Sequence, residues 1–198
     1  MYGRPGPRTL PAQRQQQWEW RVNEQLLAIL GELGIAAEYP LQCGMPLHPE
    51  CPLLVDAGPD ALGRPARLEV ATARAWQAMR AAAADAGVEL QLVSAYRSYD
   101  YQKQLFLRKL ARGDRIADIL KVNAAPGFSE HHSGRAVDIG TPGFALLEEV
   151  FETTPAFAWL QTHAARFGFR LSFPRGNTFG VLYEPWHWYY LGSAEHTA

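Results

Sequence analysis

Residues 129–138 read SEHHSGRAVD, and residues 184–187 read EPWH. In the first stretch, positions 136–139 (Ala-Val-Asp-Ile) form a short apolar run interrupted by one carboxylate, the pattern of a buried strand. Side chains alternate across a strand, so Asp138 points away from Val137 and Ile139. A charge in such a run is costly unless it is paired or bound to a metal. Gly134 lets the chain turn sharply between His131 and Asp138. In the second stretch Pro185 fixes its own φ and drives Glu184 toward an extended conformation. Glu184 and His187 are thereby held in a constant relation.

Outward from these stretches the chain alternates helical and extended patterns of unequal length. Trp18, Val22, Leu26, Ile29 and Leu33 recur at helical spacing, with Gly34 as a stop. Residues 39–66 hold many Pro and Gly and read as irregular. A second helix is expected over 68–86, with Ala75, Trp76, Met79 and Ala83 on one face and Gly87 at its end. Residues 88–93 alternate as a strand, apolar at Val88, Leu90 and Leu92. Ser98 is an N-cap candidate, with Asp100 in the first turn of a helix that carries Leu105, Phe106 and Leu110 and stops near Gly113. Thr154 followed by Pro155 starts another, with Phe157, Leu160, Ala164 and Phe167 inward and Gly168 at its end. Strands are expected at 169–173 and 187–191. The sum is α+β rather than a regular α/β alternation. Residues 1–15, rich in Pro, Arg and Gln, are expected as a loose arm, and 16–198 as one domain.

Composition narrows the function. The chain has 198 residues, 47% apolar, with 19 basic and 20 acidic side chains and a formal net charge of -1. That balance offers no general nucleic-acid surface. No apolar run reaches the length of a membrane span, and no protein partner is predicted. Residues 1–8 carry charges with no apolar core after them, so no secretory signal is expected there. A cell-envelope or periplasmic location then requires an export segment outside this sequence, and the other expectation is the cytoplasm. Cys43 and Cys51 either close a small loop or stand as independent thiols; their spacing is not that of a zinc knuckle.

The four side chains of the opening stretches suit one catalytic zinc ion. Such a site uses three protein ligands and leaves one position open. His131, Asp138 and His187 are the candidate ligands, and Glu184 is the candidate general base for a water. Taken singly, each is an ordinary residue: a surface histidine, a cap, an ion-pair partner. His48, His163 and His196 keep that ordinary reading, and His132 is expected in a supporting position or in solvent.

Three blocks resemble the VanY-type D-alanyl-D-alanine carboxypeptidases, zinc peptidases that trim bacterial cell-wall peptides. They are SAYRSYDYQKQLF at 94–106, PGFSEHHSGRAVDI at 126–139 and EPWHWYYLG at 184–192. The resemblance covers about residues 65–192. It implies a Hedgehog/DD-peptidase-like α+β fold, a small antiparallel sheet carrying the zinc site with helices around it. It implies zinc on His131, Asp138 and His187, and Glu184 as proton shuttle. It implies that Arg97 holds negative charge, either a developing oxyanion or the substrate's terminal carboxylate, and that Gln102 and Ser129 bind that carboxylate. An Arg fork with neutral donors suits a carboxylate. The implied substrates are peptidoglycan stem peptides or muropeptides. The same zinc chemistry also serves an L,D-carboxypeptidase, a D,D-dipeptidase or an endopeptidase, and a non-enzymatic zinc-containing binding module is the remaining alternative. Two features depart from the family: Phe173-Pro174 stands where a Tyr-Pro pair is frequent, and the loop from 173 to 184 is short. Trp186, Trp188, Tyr189 and Tyr190 are expected mainly as core, with a substrate groove as the other reading.

Overall fold

The computed structural model describes residues 24–192. The expected arm, Trp18, Val22 and His196 lie outside the described residues. The first described helix, α1, spans Glu24–Glu32 and buries Leu26, Ile29 and Leu30. A short α2 follows at Tyr39–Gln42.

The expectation of irregular structure over 39–66 needs correction. Strands β1 (Leu54–Pro59) and β2 (Pro65–Glu69) form an antiparallel hairpin. Gly58, Pro59, Gly63 and Pro65 lie at or beside its tip, where Pro59 pairs with Pro65, while residues 43–53 carry no helix or strand, as expected. Asp60 closes the tip: its Oδ1 accepts from the N–H groups of Leu62 at 2.8 Å and Arg64 at 2.9 Å. The hairpin also takes the start expected for the second helix. Leu68 is fully buried in β2, and α3 runs Val70–Asp85 with Glu69 accepting from Thr72 N at its start. Trp76, Met79 and Ala83 form its inward face as the sequence predicts.

The main sheet is antiparallel, in the order β3-β4-β6-β5. Its strands are β3 (Gln91–Ser94), β4 (Ala136–Gly140), β5 (Phe169–Leu171) and β6 (His187–Tyr190). One face carries Leu92, Val137, Ile139, Phe169, Trp188 and Tyr190, which join Trp76 and Met79 of α3 in the larger core. Helix α6 (Pro155–His163) adds Phe157 and Leu160, and Thr154 caps it by accepting from Phe157 N. Strand parity sends Asp138 and His187 to the opposite face. A second apolar cluster stands apart from the first, built from α1, α4 (Tyr99–Ala111) and α5 (Ile116–Val122). It includes Phe106, Phe128, Phe173 and Val181. Phe173 and Val181 also line the cleft described below.

Ser98 caps α4 by accepting from Tyr101 N, and Gly168 ends the turn after α6 with a positive φ of 80°, as expected. Cys43 and Cys51 are both free thiols. Among the described residues no helix is long and apolar enough to cross a membrane.

Candidate metal centre

In the β4–β6 register, Asp138 stands directly opposite His187. His131 comes from a short 3-10 helix, Glu130–Ser133, which Gly134 ends in the left-handed region. That turn is braced from three sides. Glu69 N donates to Gly134 O, Cys51 N to His132 O, and Arg97 N to His131 O. A Cβ on Gly134 would lie 2.9 Å from Glu69 N and 3.0 Å from Leu54 Cδ2, at a φ of +67°. Gly134→Ala is therefore expected to cost about 1–3 kcal/mol of unfolding free energy, read as a lower urea midpoint, and to displace His131.

The three candidate ligands converge. One donor atom from each of His131, Asp138 and His187 lies within 4.8 Å of the other two, all three side chains buried. His131 Nε2 is 3.3 Å from Asp138 Oδ2, and His187 Nδ1 is 2.9 Å from Asp138 Oδ1. Two donors on one tetrahedral zinc lie about 3.4 Å apart, given bonds of about 2.0–2.2 Å. Proton accounting supports a cation here. His131 Nδ1 lies 2.7 Å from the carbonyl of Ala95, which can only accept, so that nitrogen carries the proton. The lone pair on Nε2 is then left buried without a hydrogen-bond partner, facing a carboxylate oxygen. Two acceptors so placed repel unless a positive ion lies between them. Burial, reinforced by Arg97, holds the His131 pKa down to about 4, so the ring is neutral and ready to ligate.

His187 reaches a carboxylate on each side. Its Nδ1 faces Asp138, and its Nε2 lies 2.9 Å from Glu130 Oε2. With an ion at Nδ1, the Nε2–H donates to Glu130, the carboxylate–histidine–metal arrangement that fixes ring and tautomer. Without one, burial disfavours charge on the ring but the two carboxylates prevail, raising its pKa to about 10. Glu130 stands next to a predicted ligand yet was not singled out in the sequence. The available signal was chemical: a ligating imidazole needs an acceptor for its second nitrogen. Glu130→Gln is expected to weaken metal affinity about 10- to 100-fold, measured by competition with a chromophoric chelator.

Glu184 lies 3.8 Å from His187 Nδ1. The backbone ties it in, with Glu184 N donating to Phe173 O and His187 N to Glu184 O. Burial is the main cause raising its carboxyl pKa to about 7; His187 opposes the rise and Asp138 adds to it. A carboxyl poised there can accept and return a proton near neutrality. Ligands and base open into one cleft of about 360 Å³ that Arg97 and Ser129 also line. Arg97 Nε is buried and has no hydrogen-bond partner among the described residues.

Gln102 is placed differently from the other predicted residues. It is fully buried on α4, gives its Nε2 to Ala124 O at 2.8 Å, and does not line the cleft; Ala124 does. His132 is buried rather than solvated: its Nδ1 meets Arg97 O at 2.6 Å and its Nε2 accepts from Gly127 N. Trp188 and Tyr190 are core, while Trp186 packs against that core and lines the cleft. Phe173 lies on His187, ring centroids 4.9 Å apart.

Two imidazoles and a carboxylate on one point, with a protonatable carboxyl and a guanidinium beside them, define a metallohydrolase type of centre. The chain belongs to the VanY D-alanyl-D-alanine carboxypeptidase family, whose model matches residues 65–193. Among relatives, YodJ of Bacillus subtilis (strain 168), named as a carboxypeptidase, is 40% identical over 125 residues, 61% of this chain and 45% of its own. Among solved structures, the LdcB LD-carboxypeptidase superposes with a TM-score of 0.66 at 33% identity, covering 73% of this chain and 71% of that one. A mutant of the vancomycin-resistance D,D-pentapeptidase VanY, solved in complex with Zn(II), gives a TM-score of 0.56 at 29% identity, covering 71% and 79%. The chain spans about half the length of the curated relatives it matches.

Proposed function

We propose that the chain is a zinc-dependent carboxypeptidase that removes a C-terminal D-amino acid from peptidoglycan stem peptides. The observation that carries this reading is Glu184, a largely buried carboxyl raised to a pKa of about 7 beside a buried His–Asp–His set. A site that only stabilised the fold or bound a partner would need no such base, which weighs against a binding module.

The residues fit zinc by donor type, by spacing and by the unshared lone pair on His131. Bound there, zinc would supply Lewis acidity toward a carbonyl and toward water. The chain's own groups do the rest. Glu184 takes a proton from the attacking water as its oxygen bonds to the scissile carbonyl carbon. The C–N bond then breaks, and Glu184 returns that proton to the departing amine. Arg97, with an unmet N–H in the cleft, offsets the negative charge that builds on the carbonyl oxygen. Glu130 holds the His187 ring throughout. A stem-peptide substrate places the reaction in the cell envelope.

A second reading, L,D-carboxypeptidase, is supported by the likeness to LdcB, with its TM-score of 0.66 against 0.56 for VanY. Defined stems separate the two. Incubation of the zinc-loaded chain with a pentapeptide stem, a tetrapeptide stem and free D-Ala-D-Ala is followed by mass spectrometry. The D,D reading expects loss of one D-alanine from the pentapeptide only. Loss from the tetrapeptide instead favours L,D activity. Cleavage inside the stem, or no cleavage of any stem, overturns the carboxypeptidase reading.

A further inference from the structure

His132 follows a candidate ligand directly, yet it does not line the cleft and is fully buried. Both of its ring nitrogens are engaged by backbone. Arg97 O can only accept, so Nδ1, 2.6 Å away, carries the proton. Gly127 N–H can only donate, so Nε2, 3.1 Å away, carries the lone pair. The ring is thereby held neutral in one tautomer.

The two consecutive histidines strap down one segment. His131 Nδ1–H donates to Ala95 O at 2.7 Å, Arg97 N–H to His131 O at 3.3 Å, and His132 Nδ1–H to Arg97 O. Both backbone polar groups of Arg97 therefore end on the turn that carries the ligand. Its side chain has less to hold it: Nε is buried with no hydrogen-bond partner among the described residues. The guanidinium takes its aim from the backbone beneath it. The far side of the His132 ring is anchored as well. Gly127 O accepts from His48 N at 2.7 Å, His48 O from Tyr99 Oη at 3.0 Å, and the Tyr99 ring meets the His132 ring edge-on at 4.6 Å. Gly127 is itself pressed against α1, where a Cβ would lie 2.4 Å from Leu26 Cδ2. An apolar side chain could fill the space of the imidazole, but it would leave Arg97 O and Gly127 N–H without these partners.

We propose that His132 is the positioning residue for Arg97: its Nδ1–H fixes the Arg97 backbone against the ligand turn and so aims the guanidinium at the scissile carbonyl oxygen. The assignment rests on the role given to Arg97 in the carboxypeptidase reading and deepens it. An imidazole outside the cleft then contributes to rate through geometry, since a displacement of about 1 Å near the reacting centre can cost about 100-fold.

Two substitutions divide the brace. Asn offers an amide N–H where Nδ1 stands and gives up the bond to Gly127. Gln offers an amide oxygen where Nε2 stands and leaves Arg97 O without its donor. The test is steady-state hydrolysis of a pentapeptide stem, together with equilibrium binding of a phosphinate analogue of D-Ala-D-Ala, whose tetrahedral phosphorus mimics the attacked carbonyl carbon. Both use the zinc-loaded full chain, with zinc content and thermal midpoint as controls. His132→Gln should lower kcat about 10- to 100-fold, leave KM within a few-fold, and weaken phosphinate binding by the same factor as kcat. His132→Asn should stay within a few-fold of wild type on all three. In an Arg97→Met background, His132→Gln should change kcat and phosphinate affinity by no more than about twofold, because it acts through the residue already removed. His132→Ser, which leaves room for water at both groups, carries the test if His132→Gln does not fold. A loss of equal size with and without Arg97 overturns the assignment, as does a folded His132→Asn no better than His132→Gln, or an unchanged kcat in His132→Gln. If the wild-type chain cleaves no stem peptide, the hydrolytic reading fails and phosphinate binding decides alone. A loss with Gln, spared by Asn and seen only while Arg97 is present, then supports the positioning role; any other pattern overturns it.

Discussion

Glu184→Ala keeps its zinc and loses hydrolysis of stem peptides by about 10²- to 10⁴-fold, the usual contribution of a positioned general acid–base group. The expectation follows from where the carboxyl sits. It is 3.8 Å from His187 Nδ1, farther than the 2.9 Å from that nitrogen to Asp138 Oδ1. Removing it deletes no metal–ligand bond, and it relieves a buried carboxyl next to Asp138. Metal affinity should therefore hold or rise while turnover collapses. Single-turnover assays on a defined stem, with zinc quantified in the same sample, separate the two effects. Turnover within a few-fold of wild type would remove Glu184 from the chemistry.

Stripping the metal should have the second large effect, and on two observables together. Without an ion, His131 Nε2 and Asp138 face each other with an unshared lone pair, and the site depends on a charged His187 to hold its carboxylates. Any ion that binds the folded chain alone adds RT ln(1 + [L]/Kd) to its stability, about 4 kcal/mol when the ion is at about 1,000 times Kd. For a domain of this size that is roughly 8–16 °C in Tm. Prolonged dialysis against a strong chelator should thus abolish hydrolysis and lower Tm by that order, and zinc should restore both. A Tm and an activity indifferent to the chelator would contradict the assignment of these three residues as ligands.

The parts of the site that were legible in the sequence are those that local rules decide. Strand parity around Asp138 needs only its two neighbours, and the structure places it opposite Val137 and Ile139, paired with His187. The caps at Ser98 and Thr154 are likewise settled within four residues. What escaped was non-local or ambiguous in composition. The β1–β2 hairpin was hidden because its prolines lie at a strand end, where they cost no ladder bond, and because Asp60 supplies the turn through its side chain. Glu130 was hidden because its partner is 57 residues away. Gln102 was matched to a substrate-binding position by its motif; its amide nitrogen donates to Ala124 O, a bond the local pattern does not reveal.

The most direct test of the three-ligand centre is zinc content per folded chain after exhaustive dialysis, compared between wild type and Asp138→Asn. The substitution keeps the side chain's shape and removes its charge. The wild-type chain should retain one zinc, and the variant close to none while remaining folded by circular dichroism. A wild-type chain without zinc, or an Asp138→Asn chain that holds a full equivalent as tightly, would contradict the centre described for His131, Asp138 and His187.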